Sequence, residues 1–183
     1  INQAIKNITK EERVKLRKFG IKIGRYHIFL PKMLKPAAVS LRTKLWKIYF
    51  PEDKNYNVPK EGLNFLKDEA NKNKKFLLIC GFENFKNFYI RVDILERLFL
   101  KILENTKNGM FKIHSDMMNL IGCNKENFFK ILDLMEYRRK KIDKDEFFVY
   151  QPKYKNKKDK VVKKVDKLGK NSPFNKLSEL RFR

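Results

Sequence analysis

The chain has 183 residues, of which 44 are Lys or Arg and 21 are Asp or Glu, so its formal net charge is +23. This length suits one domain, or two small ones with a modest core. No apolar run approaches the length of a membrane-spanning helix, and the two cysteines form no CxxC pair, which argues against a disulfide framework. We therefore expect a cytoplasmic protein with no membrane partner.

The positive charge is concentrated at the two ends of the chain. Residues 1–50 carry a net +11 and residues 151–183 a net +9, whereas residues 51–104 and 105–150 carry only +1 and +2. Codon drift in an AT-rich genome is one explanation for many lysines, but drift spreads evenly along a chain. The uneven distribution favours binding of a polyanion such as RNA or DNA.

The N-terminal third predicts a helix, a strand and a second helix. Residues 10–18 are typical of a short basic helix. Residues 20–30 predict a strand whose apolar residues change phase near Gly24, as a β-bulge would cause. Pro36 suits the first turn of a helix, and apolar residues then recur at helical spacing over 37–49.

The middle of the chain is less regular. Residues 51–62 hold two prolines and a glycine and predict a linker. A helix is expected over 62–71. Residues 76–92 predict a hairpin, with FLLICGF and FYIRV as strands and ENFKN as the turn.

The clearest segment follows the hairpin. Its predicted elements, in order, are a helix over 94–104 capped by Asp93, a strand over 110–113, a brief helix capped by Ser115 and ended by Gly122, a helix capped by Asn124, and strands over 137–142 and 146–151. This order is that of a winged helix-turn-helix. Its predicted buried stripes are Leu95, Leu98, Phe99 and Ile102 on one helix and Phe128, Ile131, Leu132 and Met135 on another.

The predicted fold class is therefore α+β. It combines a small mixed α/β N-terminal part with a winged helix-turn-helix unit and a basic tail. We predict a basic helix–strand–helix accessory segment over 1–62, a hairpin plus winged-helix-like unit over 63–151, and a basic, largely disordered tail over 152–183.

No catalytic centre is recognisable. A phosphate-binding loop needs GxxxxGK followed by Ser or Thr, and the sequence GIKIG at 20–24 lacks this pattern. The scattered ligands His27, His114, Cys80 and Cys123 do not have zinc-site spacing, and the two cysteines suit small core positions. We therefore assign no catalytic residue, metal or cofactor to this chain.

Basic residues with aromatic neighbours are the candidates for nucleic-acid binding, because cations meet phosphates and flat rings stack on bases. In the N-terminal part they are Arg25, Tyr26, Lys32, Lys35, Arg42 and Lys44. The predicted strands over 137–142 and 146–151 form the wing of the winged helix, and at its start the candidates are Arg138, Arg139, Lys140 and Lys141. The alternative for the first group is a solvated basic face with Tyr26 and Trp46 in the core.

The third helix of the winged unit is a poorer candidate. Lys125 and Lys130 are expected to point outward, but so are Glu126, Asp133 and Glu136. If this helix lay in a major groove, its carboxylates would come close to the phosphates, and the like charges would repel each other. This composition favours a packing role or contact through the wing over base-specific reading of DNA.

Several stretches resemble the C-terminal region of a bacterial helicase-related family. They are LRKFGIKIGRYHIFLPKMLKPAAVSLRTKLW at 16–46, RVDILERL at 91–98, LIGCNKENFFKILDLMEYR at 120–138 and SPFNKLSEL at 172–180. That family belongs to superfamily 2 and is similar to the RNA helicase of the mitochondrial RNA-degrading complex. The resemblance implies motor domains upstream of Ile1, which would bind ATP and Mg²⁺, while this region holds the nucleic acid strand.

The resemblance therefore predicts an accessory region of an ATP-dependent RNA or DNA helicase. Its partners would be nucleic acid, contacted mainly at the phosphate backbone, and the upstream motor domains. Two alternatives remain open at this point. One is a stand-alone winged-helix regulator or adaptor, and the other is a ribosome-associated basic protein.

Overall fold

A computed structural model of the chain describes residues 8–53, 55–68, 74–142 and 145–152. The fold is α+β, because helices alternate with three small antiparallel sheets in the described part of the chain. The predicted basic tail lies almost entirely outside the described residues. The predicted domain division at residues 62 and 63 stays a prediction.

The N-terminal part begins with helix α1, Lys10–Lys18, which carries the predicted basic sequence. Thr9 and Glu12 cap its start reciprocally: the Glu12 amide donates to the Thr9 hydroxyl (3.2 Å), and the Thr9 amide donates to the Glu12 carboxylate (2.8 Å). A short 3₁₀ helix, Pro31–Leu34, and helix α2, Pro36–Tyr49, follow further along. Both Pro31 and Pro36 stand in a first turn, where a missing N–H costs no helical hydrogen bond.

The single bulged strand expected over 20–30 is wrong. The segment is a tight hairpin of two short strands, β1 at Lys22–Ile23 and β2 at Ile28–Phe29. The Gly24 amide donates to the His27 carbonyl (2.8 Å) and closes the turn. A reversal of direction shifts the phase of the apolar residues just as a bulge would, so periodicity alone did not separate the two.

The central part contains strand β3 (Phe65–Lys67), helix α3 (Lys74–Ile79), strand β4 (Phe82–Phe85) and strand β5 (Phe88–Arg91). The strands form a sheet in the order β3–β5–β4. The helix expected over 62–71 is wrong in its described part, residues 62–68, because Phe65 pairs with Ile90 across the sheet and stacks on Phe88.

The hairpin expected over 76–92 is partly correct. Strand β5 is confirmed, but most of FLLICGF is helix α3, and only Phe82 of that run is in a strand. A short continuous apolar run fits a buried helix as well as a strand. Gly81, with φ of +93°, separates the two elements, and a Cβ there would lie 2.6 Å from Leu34.

The C-terminal part contains six elements. They are helix α4 (Val92–Asn105), strand β6 (Met110–Phe111), helix α5 (Ser115–Ile121), helix α6 (Lys125–Leu134), strand β7 (Tyr137–Ile142) and strand β8 (Asp145–Tyr150). The strands form an antiparallel sheet in the order β6–β8–β7. The pairing of β7 with β8 runs from Tyr137 opposite Tyr150 to Ile142 opposite Asp145.

Four residues in this part were predicted to cap or end a helix, and two of these predictions are confirmed. The Asn124 side chain accepts from the Asn127 amide (2.9 Å), and Gly122 ends α5 with φ of +79°. The predicted caps Asp93 and Ser115 are wrong, because each lies inside its helix. Asp93 instead accepts two hydrogen bonds from the Arg91 guanidinium (2.6 and 3.0 Å).

The apolar residues collect on both sides of strand β5. Phe88 and Ile90 face a cluster built by α4, α5, α6 and the third sheet. Tyr89 faces a second cluster with Phe76 and Phe82. Of the predicted stripes, all members are buried except Phe99, which is half-buried: Leu95, Leu98, Ile102, Phe128, Ile131, Leu132 and Met135.

Helix α2 packs through one side only. Val39 and Trp46 contact the second cluster, and Thr43 between them is buried. Its larger apolar residues outside that side face outward, with Leu41 59%, Leu45 57% and Ile48 74% exposed. Among the described helices, none combines the length and apolar content needed to cross a membrane.

Candidate nucleic-acid interface

The turn between β1 and β2 is fixed to helix α4 by one buried carboxylate. Glu96 accepts hydrogen bonds from the backbone amides of Arg25 (2.8 Å), Tyr26 (2.7 Å) and His27 (2.9 Å). A Cβ at Gly24 would lie 2.1–2.4 Å from the Glu96 carboxylate, so this approach requires glycine. The carboxylate thus fixes the backbone position of the turn and, with it, the positions from which the Arg25, Tyr26 and His27 side chains extend.

Arg25 extends from this turn to the end of strand β8. Its guanidinium carbon lies 5.4 Å from the Phe99 ring centroid and 5.4 Å from that of Tyr150. It also donates a hydrogen bond to the Tyr150 hydroxyl (3.1 Å). The predicted binding residue therefore stands at the surface beside two aromatic rings.

Tyr26 points the other way. It is half-buried and packs edge-to-face against Phe85 and Phe99. Burial is the main reason why the pKa of its phenol is raised. This position corresponds to the alternative in which Tyr26 belongs to the core, and it leaves Arg25 as the outward member of the pair.

His27 completes the turn with a side-chain hydrogen bond to another sheet. Its Nε2 lies 2.5 Å from Oε2 of Glu83 on strand β4. Together with the bonds to Glu96, this contact anchors the turn to both β4 and α4. The histidine thus has a structural partner here, and among the described residues no group of three His, Cys, Asp or Glu side chains is arranged to hold a metal.

An open cleft of about 710 Å³ lies between the β1–β2 hairpin and helix α4. Three cationic side chains line it: Lys22, Arg25 and Arg97. The carboxylates there, Asp93 and Glu96, are already hydrogen-bonded to Arg91 and to backbone amides. The cleft therefore offers positive charge beside the ring of Phe99, which also lines it.

The other N-terminal candidates lie on the 3₁₀ helix and α2. Lys32, Lys35 and Lys44 are exposed. Arg42 is half-buried and donates to the Met33 carbonyl (2.6 Å), and desolvation lowers the pKa of its guanidinium. This arginine holds α2 against the preceding turn, whereas the three lysines stand in solvent.

The four basic residues of strand β7 alternate between the faces of its sheet. Arg138 forms an ion pair with Asp133, and Arg139 lies 3.4 Å from Glu146. Lys140 and Lys141 are exposed and have no ion-pair partner among the residues that the structure describes. The two lysines are therefore the members of this cluster whose charge is not already neutralised nearby.

The outward side of helix α6 carries mixed charge, as predicted, but Glu136, which was expected there too, follows the end of the helix and is half-buried. Lys125, Glu126, Lys130 and Asp133 are all exposed. The Lys125 ammonium lies 5.5 Å from the Phe129 ring centroid. This side of the helix thus presents no uniform positive surface.

Sequence reasoning missed four residues that belong beside the predicted ones. Lys22, Arg97 and Phe99 line the cleft, and Tyr150 contacts Arg25 across 125 positions of sequence. Arg97 lies between the buried Leu95 and Leu98 on the same helix, so helical periodicity could have predicted that it points outward. The pairing of Arg25 with Tyr150 had no signal in the sequence.

Comparison of the chain with protein-family models, with curated proteins and with solved structures finds no match.

Proposed function

We propose that this chain binds single-stranded or partly duplex nucleic acid, mainly through the phosphate backbone, as an accessory region of an ATP-dependent helicase. The observation that carries the proposal is the cleft in which Lys22, Arg25 and Arg97 stand beside Phe99. Cations next to flat rings are what single strands require. A net charge of +23 attracts polyanions to such a surface.

The helicase part of the proposal rests on the family resemblance of residues 16–46, 91–98, 120–138 and 172–180. ATP and Mg²⁺ would act in motor domains elsewhere in a longer cytoplasmic protein. The purified chain alone should release no phosphate from ATP, with or without RNA. RNA-stimulated ATP turnover by this chain would contradict the assignment.

We further propose that residues 92–150 form a winged helix-turn-helix. The order helix α4, strand β6, helices α5 and α6, strands β7 and β8 supports it, as does the sheet order β6–β8–β7. In this arrangement α6 is the helix that a DNA reader places in the major groove. Exposed Glu126 and Asp133 on α6 favour backbone contact through β7 instead.

The test compares two double variants that remove the same charge. Lys140→Ala with Lys141→Ala removes two exposed lysines of β7, and Lys125→Ala with Lys130→Ala removes two exposed lysines of α6. Binding of labelled single strands is measured over a range of salt concentrations. If both β7 lysines contact phosphate, their loss should flatten the log–log salt slope by about 1.4, since each contact contributes about 0.7.

The α6 variant should leave both slope and affinity nearly unchanged. Absence of binding by the unmodified chain would end the proposal. A dominant loss in the α6 variant, together with strong dependence on base sequence, would instead support the stand-alone winged-helix regulator. A steep salt slope with little sequence dependence is the expected result.

A further inference from the structure

A second, smaller pocket adjoins the cationic cleft and is built from aromatic side chains. It measures about 230 Å³ and lies among the end of α4, the start of β6 and the paired ends of β7 and β8. Four rings line it: Phe99, Phe111, Tyr137 and Tyr150. Arg25 and Phe99 line both the pocket and the cleft.

The inner part of the pocket is buried and mostly aromatic. Ile102, Phe111 and Tyr137 are buried. The rings of Phe111 and Tyr137 meet edge-to-face with centroids 5.3 Å apart, and those of Tyr137 and Tyr150 lie 5.5 Å apart. These edge-to-face contacts favour one arrangement of the rings, and the walls are formed by residues of the chain itself.

The mouth of the pocket is open and carries the polar groups. Tyr150 is 41% and Leu103 52% exposed, and Arg25 stands beside them. The Tyr150 hydroxyl accepts from Arg25 and donates to a Glu136 carboxylate oxygen (3.2 Å). Thr106 donates its hydroxyl proton to the Ile102 carbonyl (2.6 Å), which leaves its oxygen as an acceptor at the pocket wall.

The size and chemistry restrict the ligand. Pockets for drug-sized molecules usually measure about 300–1,000 Å³, so 230 Å³ suits one planar ring system and not a whole nucleotide. Flat rings on several sides favour a ligand with two π-faces, and a guanidinium at the mouth favours one with ring acceptors. A nucleobase has both properties.

We infer that this pocket takes one unstacked nucleobase of a bound strand, while the backbone of that strand lies in the adjoining cationic cleft. The inference rests on the proposed function and adds a base contact to it. Because Arg25 lies at the shared edge, its guanidinium is placed to contact the base or the phosphate beside it. Stacking is tolerant of base identity, so the contact adds affinity without demanding a sequence.

The test uses single strands with one central 2-aminopurine, whose fluorescence falls when it stacks on an aromatic ring. Tyr150→Ala removes the exposed wall, and Tyr150→Phe retains the ring. Tyr49→Ala is the matched control, because Tyr49 is an exposed tyrosine on α2 (79%) outside this pocket. Far-ultraviolet circular dichroism verifies that each variant is folded.

Binding of the unmodified chain should quench the 2-aminopurine. Tyr150→Ala should abolish most of the quench and weaken binding by about five- to 150-fold, the range expected for one base–ring stack. Its salt slope should equal that of the unmodified chain, because stacking releases no counterions. Tyr150→Phe and Tyr49→Ala should retain both quench and affinity.

The two proposals fail in different ways. If the unmodified chain binds no strand at all, the proposed function is wrong. If it binds with a steep salt slope but without quenching, and Tyr150→Ala binds equally well, phosphate binding stands and the base pocket is wrong. Equal losses in Tyr150→Ala and Tyr150→Phe would also overturn the inference, because the hydroxyl and not the ring would then be responsible.

Discussion

Helices α2 and α4 both contain 14 residues, and both carry apolar side chains at helical spacing. In α4 these side chains are buried by α5, α6 and the strands around them. In α2 the stripe of Leu41, Leu45 and Ile48 faces outward, and the helix packs through Val39, Thr43 and Trp46 instead. Helical spacing therefore established that each segment is a helix, but the elements packed around it decided which side is buried.

The largest effect on stability is expected in the region around helix α4, where α5 and α6 bury the apolar side chains. Leu132 on α6 is fully buried in the cluster that surrounds α4. Leu132→Ala should lower the free energy of unfolding by about 2–5 kcal/mol, since it removes apolar contacts and leaves a cavity. Denaturant unfolding measures this, and a loss below about 0.5 kcal/mol would show that the region is not packed as described.

The link between the β1–β2 turn and helix α4 should have the next largest effect. Glu96→Ala removes the acceptor of three backbone amides in the 25–27 turn, and unsatisfied polar groups cost about 1–3 kcal/mol. Hydrogen exchange of those amides should accelerate. Glu104→Ala on the exposed side of the same helix should leave their exchange unchanged, and equal acceleration in both variants would contradict the role of Glu96.

An effect of similar size should appear at alkaline pH. Burial raises the pKa of the Cys80 thiol to about 11, above its usual value near 9. The unfolded chain therefore loses this proton first, so stability is retained below about pH 9 and falls between pH 9 and 11. The slope contributed by one thiol is at most about 1.4 kcal/mol per pH unit.

Cys80→Ala removes that contribution. The variant should unfold with a shallower pH dependence between pH 9 and 11 than the unmodified chain, whatever its stability at neutral pH. Identical slopes for the two proteins would show that Cys80 is accessible to water in the folded state.

The smallest effect is expected on α2. Leu45 is largely exposed, so Leu45→Ala should change the free energy of unfolding by less than about 0.5 kcal/mol. A Leu→Ala substitution that destabilises the α6 region should thus have almost no effect on stability here. A loss comparable to that of Leu132→Ala would mean that the stripe of α2 is covered in solution, and sedimentation would then show whether a second copy covers it.

Local signals in the sequence identified much of the C-terminal part. Asn124 and Gly122 mark helix ends because a side-chain acceptor and a left-handed φ act within a few residues. The buried stripe of α6 follows from its spacing. The same reasoning failed at Phe65, which lies in a strand, and at 76–79, which lies in a helix. Both segments have similar apolar content, so only their packing partners decide which secondary structure each one adopts.

In the candidate site, too, some features could be predicted from the sequence and others could not. Sequence alone identified the basic residues of β7 and the mixed charge of α6, because composition and period are local properties. It did not identify which of those charges are paired, because Asp133 of α6 contacts Arg138, and Glu146 of β8 contacts Arg139, only once the helix and the strands have folded together.

The sequence by itself determined the net charge and its concentration at both ends, the absence of a phosphate-binding loop, and the helices with clear caps. Only the tertiary structure decided that Arg25 meets Tyr150, that Tyr26 turns inward, and that a cationic cleft adjoins an aromatic pocket. The physical reason is the range of the interactions. Capping and helical periodicity act over a few residues, whereas Glu96 holds a turn that lies about 70 positions earlier in the chain.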